Sequence, residues 1–391
     1  MHIVVFTHPQ FLDSTSMPRF ARMIIDGMRL RGHVVEEWTA KPYFFNISFL
    51  KSIRKWLGYI DQYVVFPLNV YFKLAKYKKS NTLFIFADQA LGPWAPLVKK
   101  HPHVIHVHDF MAYRSSLGEH LENPTTRTGK IYQQFIKKGF SKGICFISVS
   151  KNTKAELDKI LNWDGELSFV VYNGLNPVFR RIDKFEAISL MQNRLPRSVL
   201  EEGFLLHVGG NQWYKNRLGV LELYEAYAKK NTPESCLPLV MIGAHPTESL
   251  TALAKNLPEW AKVYFVSGVS DEQVCASYSL ARLFLFPSLE EGFGWPIAEA
   301  MACGCPVVTT NKAPMTEVGG DAAYYIDRRT PENVTEWAEQ SARRLLELLA
   351  DEGCMNAHSA NGIERVREFD VQATLDAYEK IYMRTLNEAT K

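Results

Sequence analysis

Long hydrophobic runs are missing from this sequence. No stretch approaches the ~18 consecutive apolar residues that a membrane-crossing helix needs. The opening Met-His-Ile-Val-Val-Phe lacks a basic segment followed by a long apolar one, so no secretory signal is expected. None of the six cysteines, Cys145, Cys236, Cys275, Cys303, Cys305 and Cys354, forms a Cys-x-x-Cys pair. Their irregular spacing argues against a zinc module or a disulfide framework and predicts buried free thiols in a reducing cytoplasm. Asp-x-Asp is also absent, so no metal bound in that manner is expected. Internal repeats are lacking, which excludes a solenoid.

What is present is ordinary in amount and uneven in distribution. Apolar residues make up 47% and charged residues 22% of 391 positions, a globular composition. That length suits two domains of roughly 150–200 residues each. Residues 1–180 carry 24 Lys and Arg against 13 Asp and Glu, whereas residues 181–391 carry 21 against 29. A basic half and an acidic half predict two domains with different surroundings. The expected division is 1–180, joined by a C-terminal helix at 371–391, and 181–370.

Short apolar runs alternate with helical spacing. Ile3–Phe6 reads as a strand, Met17–Arg31 as a helix stopped by Gly32, and Val34 opens the next strand. Further strands are expected at Leu83–Phe86, Val104–Val107 and Cys145–Val149. Residues 173–200, with Pro177 and Pro196, read as a linker. A second series follows, with strands at Phe204–Val208, Leu239–Ile242, Val263–Val266, Leu283–Phe286, Pro306–Thr309 and Ala323–Ile326. The pattern predicts an α/β protein with two doubly wound, Rossmann-like parallel sheets.

Residues 41–80 differ. Phe49, Leu50, Ile53, Trp56, Leu57 and Ile60 fall on one helical face, with Lys51, Arg54 and Lys55 on the other. Aromatics and lysines continue to Lys79. The mixture over 47–79 suits an anionic membrane surface. No nucleic-acid module is recognisable, so nucleic acid is not an expected partner.

The stretch richest in chemistry begins at Pro287. It leaves a strand, passes Gly292 and Gly294, and enters a helix near Pro296. A helix start offers unpaired amides and a positive dipole end, which together suit an anion. Glu291 precedes this helix and Glu299 lies about one turn into it. Carboxylates accept hydroxyl donors well, so sugar or ribose diols are apt partners.

Glu291 and Glu299, with Gly-Phe-Gly after the first and Glu-Ala-Met-Ala-Cys-Gly around the second, resemble the Glu-x7-Glu signature of retaining glycosyltransferase family 4. The Pro-Met-Thr-Glu-Val-Gly-Gly-Asp run from Pro314 continues the likeness. His207-Val208-Gly209-Gly210 with Lys215-Asn216 is similar to that family's first donor-domain strand and loop. His106-Val107-His108-Asp109 resembles its His motif in the other domain. The resemblance implies the GT-B fold, with two domains facing across a cleft. It also implies a hexosyltransferase that moves a sugar from a nucleoside-diphosphate sugar to an acceptor hydroxyl with retention.

On that resemblance, Lys215 and the amides near Gly209, Gly210, Phe293 and Gly294 would meet the diphosphate. Glu291 would bind the donor sugar, Glu299 the ribose, and His108 would line the sugar site. The usual proposal for the family is front-side attack assisted by the leaving phosphate. The family often has an Arg a few residues before the Lys. Here Asn211-Gln212-Trp213-Tyr214 stand instead, with Arg217 as a candidate replacement. Ser14, Thr15 and Asp109 are acceptor-side candidates. No bound cofactor and no metal are expected, and a glycan or lipid-linked acceptor in cell-surface polysaccharide or lipopolysaccharide synthesis fits the aromatic-basic segment. A cytoplasmic location, peripheral on the inner membrane face, is expected. A nucleotide-sugar epimerase and a non-catalytic sugar-nucleotide-binding subunit are the alternatives.

Overall fold

The computed structural model describes residues 1–12, 16–47, 50–77, 81–163 and 165–388. The chain divides into two compact units, Met1–Tyr172 with Gln372–Lys391, and Asn173–Val371.

The first unit is built on six parallel strands: β1 (His2–Phe6), β2 (Val34–Trp38), β3 (Thr82–Phe86), β4 (His103–Val107), β5 (Phe146–Ser148) and β6 (Ser168–Val170). Their order is β2-β1-β3-β4-β5-β6, so the chain steps outward from β1 to β2 and then crosses to the other side of β1. β3 and β4 are buried along their whole length, as near-continuous apolar runs covered on both faces should be. The core is aromatic: Phe6 stacks on Phe86 with ring centroids 4.5 Å apart, and Phe66 lies 4.3 Å from Trp94. Helix Ser16–Leu30 follows β1 and buries Phe20, Ile24 and Met28 at four-residue spacing. Gly32, at φ +81°, ends it.

The final helix, Val371–Glu388, packs into this same unit. The Tyr382 hydroxyl lies 2.7 Å from His106 Nε2, and Arg31 pairs with Asp376 at 2.7 Å.

Residues 51–74 form two α-helical segments, Lys51–Ile60 and Phe66–Leu74, joined by one π turn at Asp61–Val65. A π turn disturbs the carbonyl ladder. Trp94 donates its indole N–H to the Gln62 carbonyl at 2.8 Å, and the buried Asp61 carboxylate accepts the Phe44 and Phe45 amides. Phe66 and Val70 turn inward, while Trp56, Tyr71 and Phe72 stay exposed, at 63%, 72% and 71%.

The second unit repeats the architecture with β7 (Leu205–Gly209), β8 (Leu239–Gly243), β9 (Val263–Val266), β10 (Leu283–Phe286), β11 (Val307–Thr310) and β12 (Ala323–Ile326). All pair in parallel in the order β12-β11-β10-β7-β8-β9. Helices Arg217–Ala228 and Val334–Ala350 cover one face, with Leu221, Tyr224, Trp337 and Leu345 in its core. The expected linker at 173–200 is instead partly helical, at Lys184–Met191 and Arg197–Glu202. Asp183 caps the first by accepting the Phe185 amide at 2.8 Å, and Pro196 stands just before the second, where a missing N–H costs nothing.

Candidate functional site

In open parallel sheets, ligands gather at strand C-terminal ends where the strand order reverses. In the second unit that point lies between β7 and β10. The loops leaving both strands are tied together there. Leu289 N–H donates to the Tyr214 carbonyl at 2.8 Å, and Asn216, at φ +52°, donates its side-chain amide to the Pro287 carbonyl at 2.8 Å. Nothing in the sequence signals Asn216's tie, because its partner lies 71 positions away.

This stitching brings Lys215 to Glu291. Nζ lies 2.8 Å from Oε1, with the side chains 14% and 8% exposed. Two charges so sheltered need one another to offset lost hydration. The ammonium also sits 5.0 Å from the Phe286 ring centroid and 5.3 Å from that of Tyr214, where the ring faces attract a cation. Oε2 of Glu291 makes no hydrogen bond among the described residues. The neighbouring Glu290 pairs separately with Lys312.

Gly294 takes φ +102°, a left-handed conformation that side chains resist, and starts helix Trp295–Ala302 with Pro296 in its first turn. Glu299 follows one turn later, where its Oε2 accepts the Tyr278 hydroxyl at 3.3 Å. Burial pushes the Tyr278 phenol far up, so it remains a donor. The Phe293 side chain is packed 5.5 Å from Phe369, edge to face. Any ligand contact from Phe293 therefore comes through its backbone.

Gly209 closes β7 and Gly210 follows it. A Cβ on Gly209 would stand 2.9 Å from His207 Nε2, so the backbone is bare because the space is taken. Burial, reinforced by the nearby Arg217 and Lys215 charges, pushes the His207 imidazole down to about 3. It stays neutral and holds the Leu285 carbonyl through Nδ1 at 2.9 Å. Arg217 is buried beside Asn211 and gives Nη1 to the Ala244 carbonyl at 2.9 Å, while Nε and Nη2 have no hydrogen-bond partner among the described residues.

In the first unit, His108 lies just past β4 with its edge on Phe20, ring centroids 4.4 Å apart. Its Nε2 meets the Ala87 carbonyl at 2.9 Å, and burial lowers its pKa. His106 is fully buried against the final helix, with a pKa well below the usual value for the same cause. Asp109 Oδ1 accepts the Met111 amide at 3.0 Å at the start of a short helix. Ser14 and Thr15 lie outside the described residues. No group of three or more His, Cys, Asp or Glu able to hold a metal occurs among the described residues, and no helix among them is long and apolar enough to cross a membrane.

Two doubly wound parallel sheets, with a basic loop and a Glu-bearing helix start at the second switch point, define a GT-B glycosyltransferase fold. Solved structures agree: HepE of Anabaena in complex with UDP superposes with a TM-score of 0.70, 16% identity and coverage of 97% of this chain and 99% of that one. WaaG, a glycosyltransferase involved in lipopolysaccharide biosynthesis, gives 0.68, 17%, 96% and 98%. Residues 195–365 match the family model described as glycosyl transferases group 1. That match covers residues 195–365 only, all within the second unit, which is therefore similar to that family. Among curated relatives, O-antigen chain mannosyltransferase B of Escherichia coli is 26% identical over 238 residues, 59% of either chain. O-antigen chain mannosyltransferase RfbU of Salmonella typhimurium is 28% identical over 230 residues, 58% of either chain. The chain thus matches less than two thirds of the length of these relatives.

Proposed function

We propose that this protein is a retaining hexosyltransferase that moves mannose from a nucleoside-diphosphate sugar to a hydroxyl of an O-antigen-type, lipid-linked glycan. The observation that carries the reading is the Lys215–Glu291 pair at the β7–β10 switch point. As the glycosidic bond to the donor breaks, negative charge grows on the departing diphosphate. Lys215 and the amides near Gly209–Gly210 and at Gly294 are the donors that stabilise it. Glu291 holds Lys215 through Oε1 and offers Oε2 to a sugar hydroxyl. Glu299, steadied by Tyr278, takes the ribose hydroxyls. The mannosyl choice rests on the names of the O-antigen relatives.

The test is thermal stabilisation by UDP, GDP, ADP, CMP and their sugar conjugates. A ligand that binds only the native state at 100 times its Kd adds about 2.7 kcal/mol. One diphosphate should raise the midpoint of the wild type and lose that effect in Glu299→Ala. No shift with any nucleotide would overturn the reading.

The exposed Trp56, Tyr71 and Phe72 beside Lys73 and Lys76 support a peripheral site on the anionic inner face of the cytoplasmic membrane. Flotation with phosphatidylglycerol vesicles should carry the wild type upward and leave a Trp56→Ser, Phe72→Ser variant at the bottom. A wild type that stays down would sink the membrane reading alone.

A further inference from the structure

Helix Asp271–Leu280 packs against helix Trp295–Ala302 inside the second unit, and two side-chain rungs join them. One is the hydrogen bond from Tyr278 to Glu299. The other is a thiol pair, in which Cys303 donates its S–H to the Cys275 sulfur with the two sulfurs 3.7 Å apart. Cys275 and Tyr278 stand three positions apart, on neighbouring turns of one helix. On the other side, the Cys303 amide donates to the Glu299 carbonyl at 3.2 Å. The four residues form a closed ring of contacts, with thiols at one end and the Glu299 carboxylate at the other. Both thiols are buried, each 2% exposed. Cys303 also lines a cavity of about 250 Å³, whose wall includes Arg181, Ser279, Arg282, Asn356 and Ser359. A polar cavity of this size admits small polar molecules. No other two of the six cysteines share a hydrogen bond among the described residues. The Cys275 sulfur also lies 3.1 Å from the Arg180 carbonyl, which its S–H meets. The Cys303 S–H favours negative charge on Cys275 and pulls that thiol below its ordinary value.

We propose that Cys275 and Cys303 are a peroxide-oxidisable dithiol whose disulfide weakens nucleotide binding at Glu299. The inference rests on the transferase reading above, which gives Glu299 the ribose, and adds a control to that same site. In the first step Cys275 gives up its proton to water, and its thiolate attacks one oxygen of hydrogen peroxide. The O–O bond breaks, and the departing hydroxide takes a proton and leaves as water. Cys275 is then a sulfenic acid. In the second step the Cys303 sulfur attacks the Cys275 sulfur, the S–O bond breaks, and the departing hydroxide takes the Cys303 proton. Two thiols are oxidised to one disulfide, and one peroxide is reduced to two waters. A covalent bond needs the sulfurs much closer than 3.7 Å, so Cys303 is drawn toward helix Asp271–Leu280. Its amide bond carries Glu299 along, and the carboxylate leaves the position in which Tyr278 steadies it.

The experiment treats the reduced protein with hydrogen peroxide, unfolds it, and alkylates the remaining thiols with iodoacetamide before peptide mapping. The wild type should lose two of its six alkylatable thiols and give one cross-linked peptide that joins Cys275 to Cys303. Cys305→Ser should behave in the same way, whereas Cys275→Ser and Cys303→Ser should give no such peptide. Nucleotide-induced thermal shift is read on the same samples. Oxidation should cut the wild-type shift by roughly half or more, and dithiothreitol should restore it. Peroxide should leave the shift of Cys303→Ser unchanged. Six alkylated thiols after peroxide, or a cross-link to any other cysteine, would overturn the dithiol. A mapped Cys275–Cys303 disulfide with an undiminished shift would overturn its hold on Glu299. A reduced wild type that shifts with no nucleotide overturns the transferase reading instead, and peptide mapping still decides the pair.

Discussion

The two units place a hydrogen-bonded pair at the same topological position and make it from different chemistry. At the β7–β10 reversal a cation meets a carboxylate, Lys215 to Glu291. At the β1–β3 reversal an imidazole meets a carboxylate, His8 to Asp88. Lys is a compact cation and suits an anion, whereas an imidazole brings one ring nitrogen to donate and another to accept. The fold supplies the location, and the residue type decides what each location does.

The sharpest way to break the comparison is at its charged end. Lys215→Ala should lower kcat about 10²–10³-fold, as loss of one donor to a developing oxyanion does, whereas Lys215→Arg should recover part of the rate. Equal kinetics for all three would remove the pair from the chemistry. Next in size is the cost of orphaning a sheltered charge. Glu291→Ala leaves the Lys215 ammonium without its partner and should destabilise the protein by about 3 kcal/mol. Urea unfolding checks this, and the double variant Lys215→Ala, Glu291→Ala should lose less than the sum of the two singles.

A smaller effect separates the units by pH. Asp88 has a depressed pKa in the folded state and about 3.9 when unfolded. Its contribution to stability is present above about pH 4 and is lost as pH falls through the folded value. Acid unfolding of Asp88→Asn should therefore show a shallower loss over that window than the wild type. Smallest is Gly294→Ala, which forces a side chain into φ +102° and should cost about 1–2 kcal/mol. The Cβ itself has room, since its nearest neighbour, Ile297, would be 3.4 Å away. The loss should therefore appear as a lower thermal midpoint.

The members of the second unit's pair stood out because each lies in a compact motif, although their contact, across 76 positions, did not. A strand, a glycine loop and a Glu-bearing helix start within twenty residues carry their own local signals, and Glu291 and Glu299 stand out there. The first unit's pair is silent in sequence. His8 and Asp88 are 80 positions apart and only strand pairing makes them neighbours. The same blindness hid Asn216's bond to Pro287 and the bond from His106 to Tyr382, 276 positions away. The α/β class and the strand series were readable from apolar runs. The helices inside 173–200 were not, since Pro177 and Pro196 read as breakers while Asp183 and Pro196 in fact serve as helix starts. The residues of 51–74 read correctly as amphipathic, but the π turn at Asp61–Val65 depends on Trp94 and left no local mark.

The return of the final helix to the first unit sets an order of synthesis. Tyr382 and Asp376 are made after the whole of the second unit, yet they cover His106 and pair with Arg31 of the first. Every residue of the second unit, Asn173–Val371, is made before the first unit receives its last wall. The earlier-made sheet must therefore wait, one flank open, while the later-made one is completed. A nascent chain stalled short of residue 372 should expose that flank to chaperones.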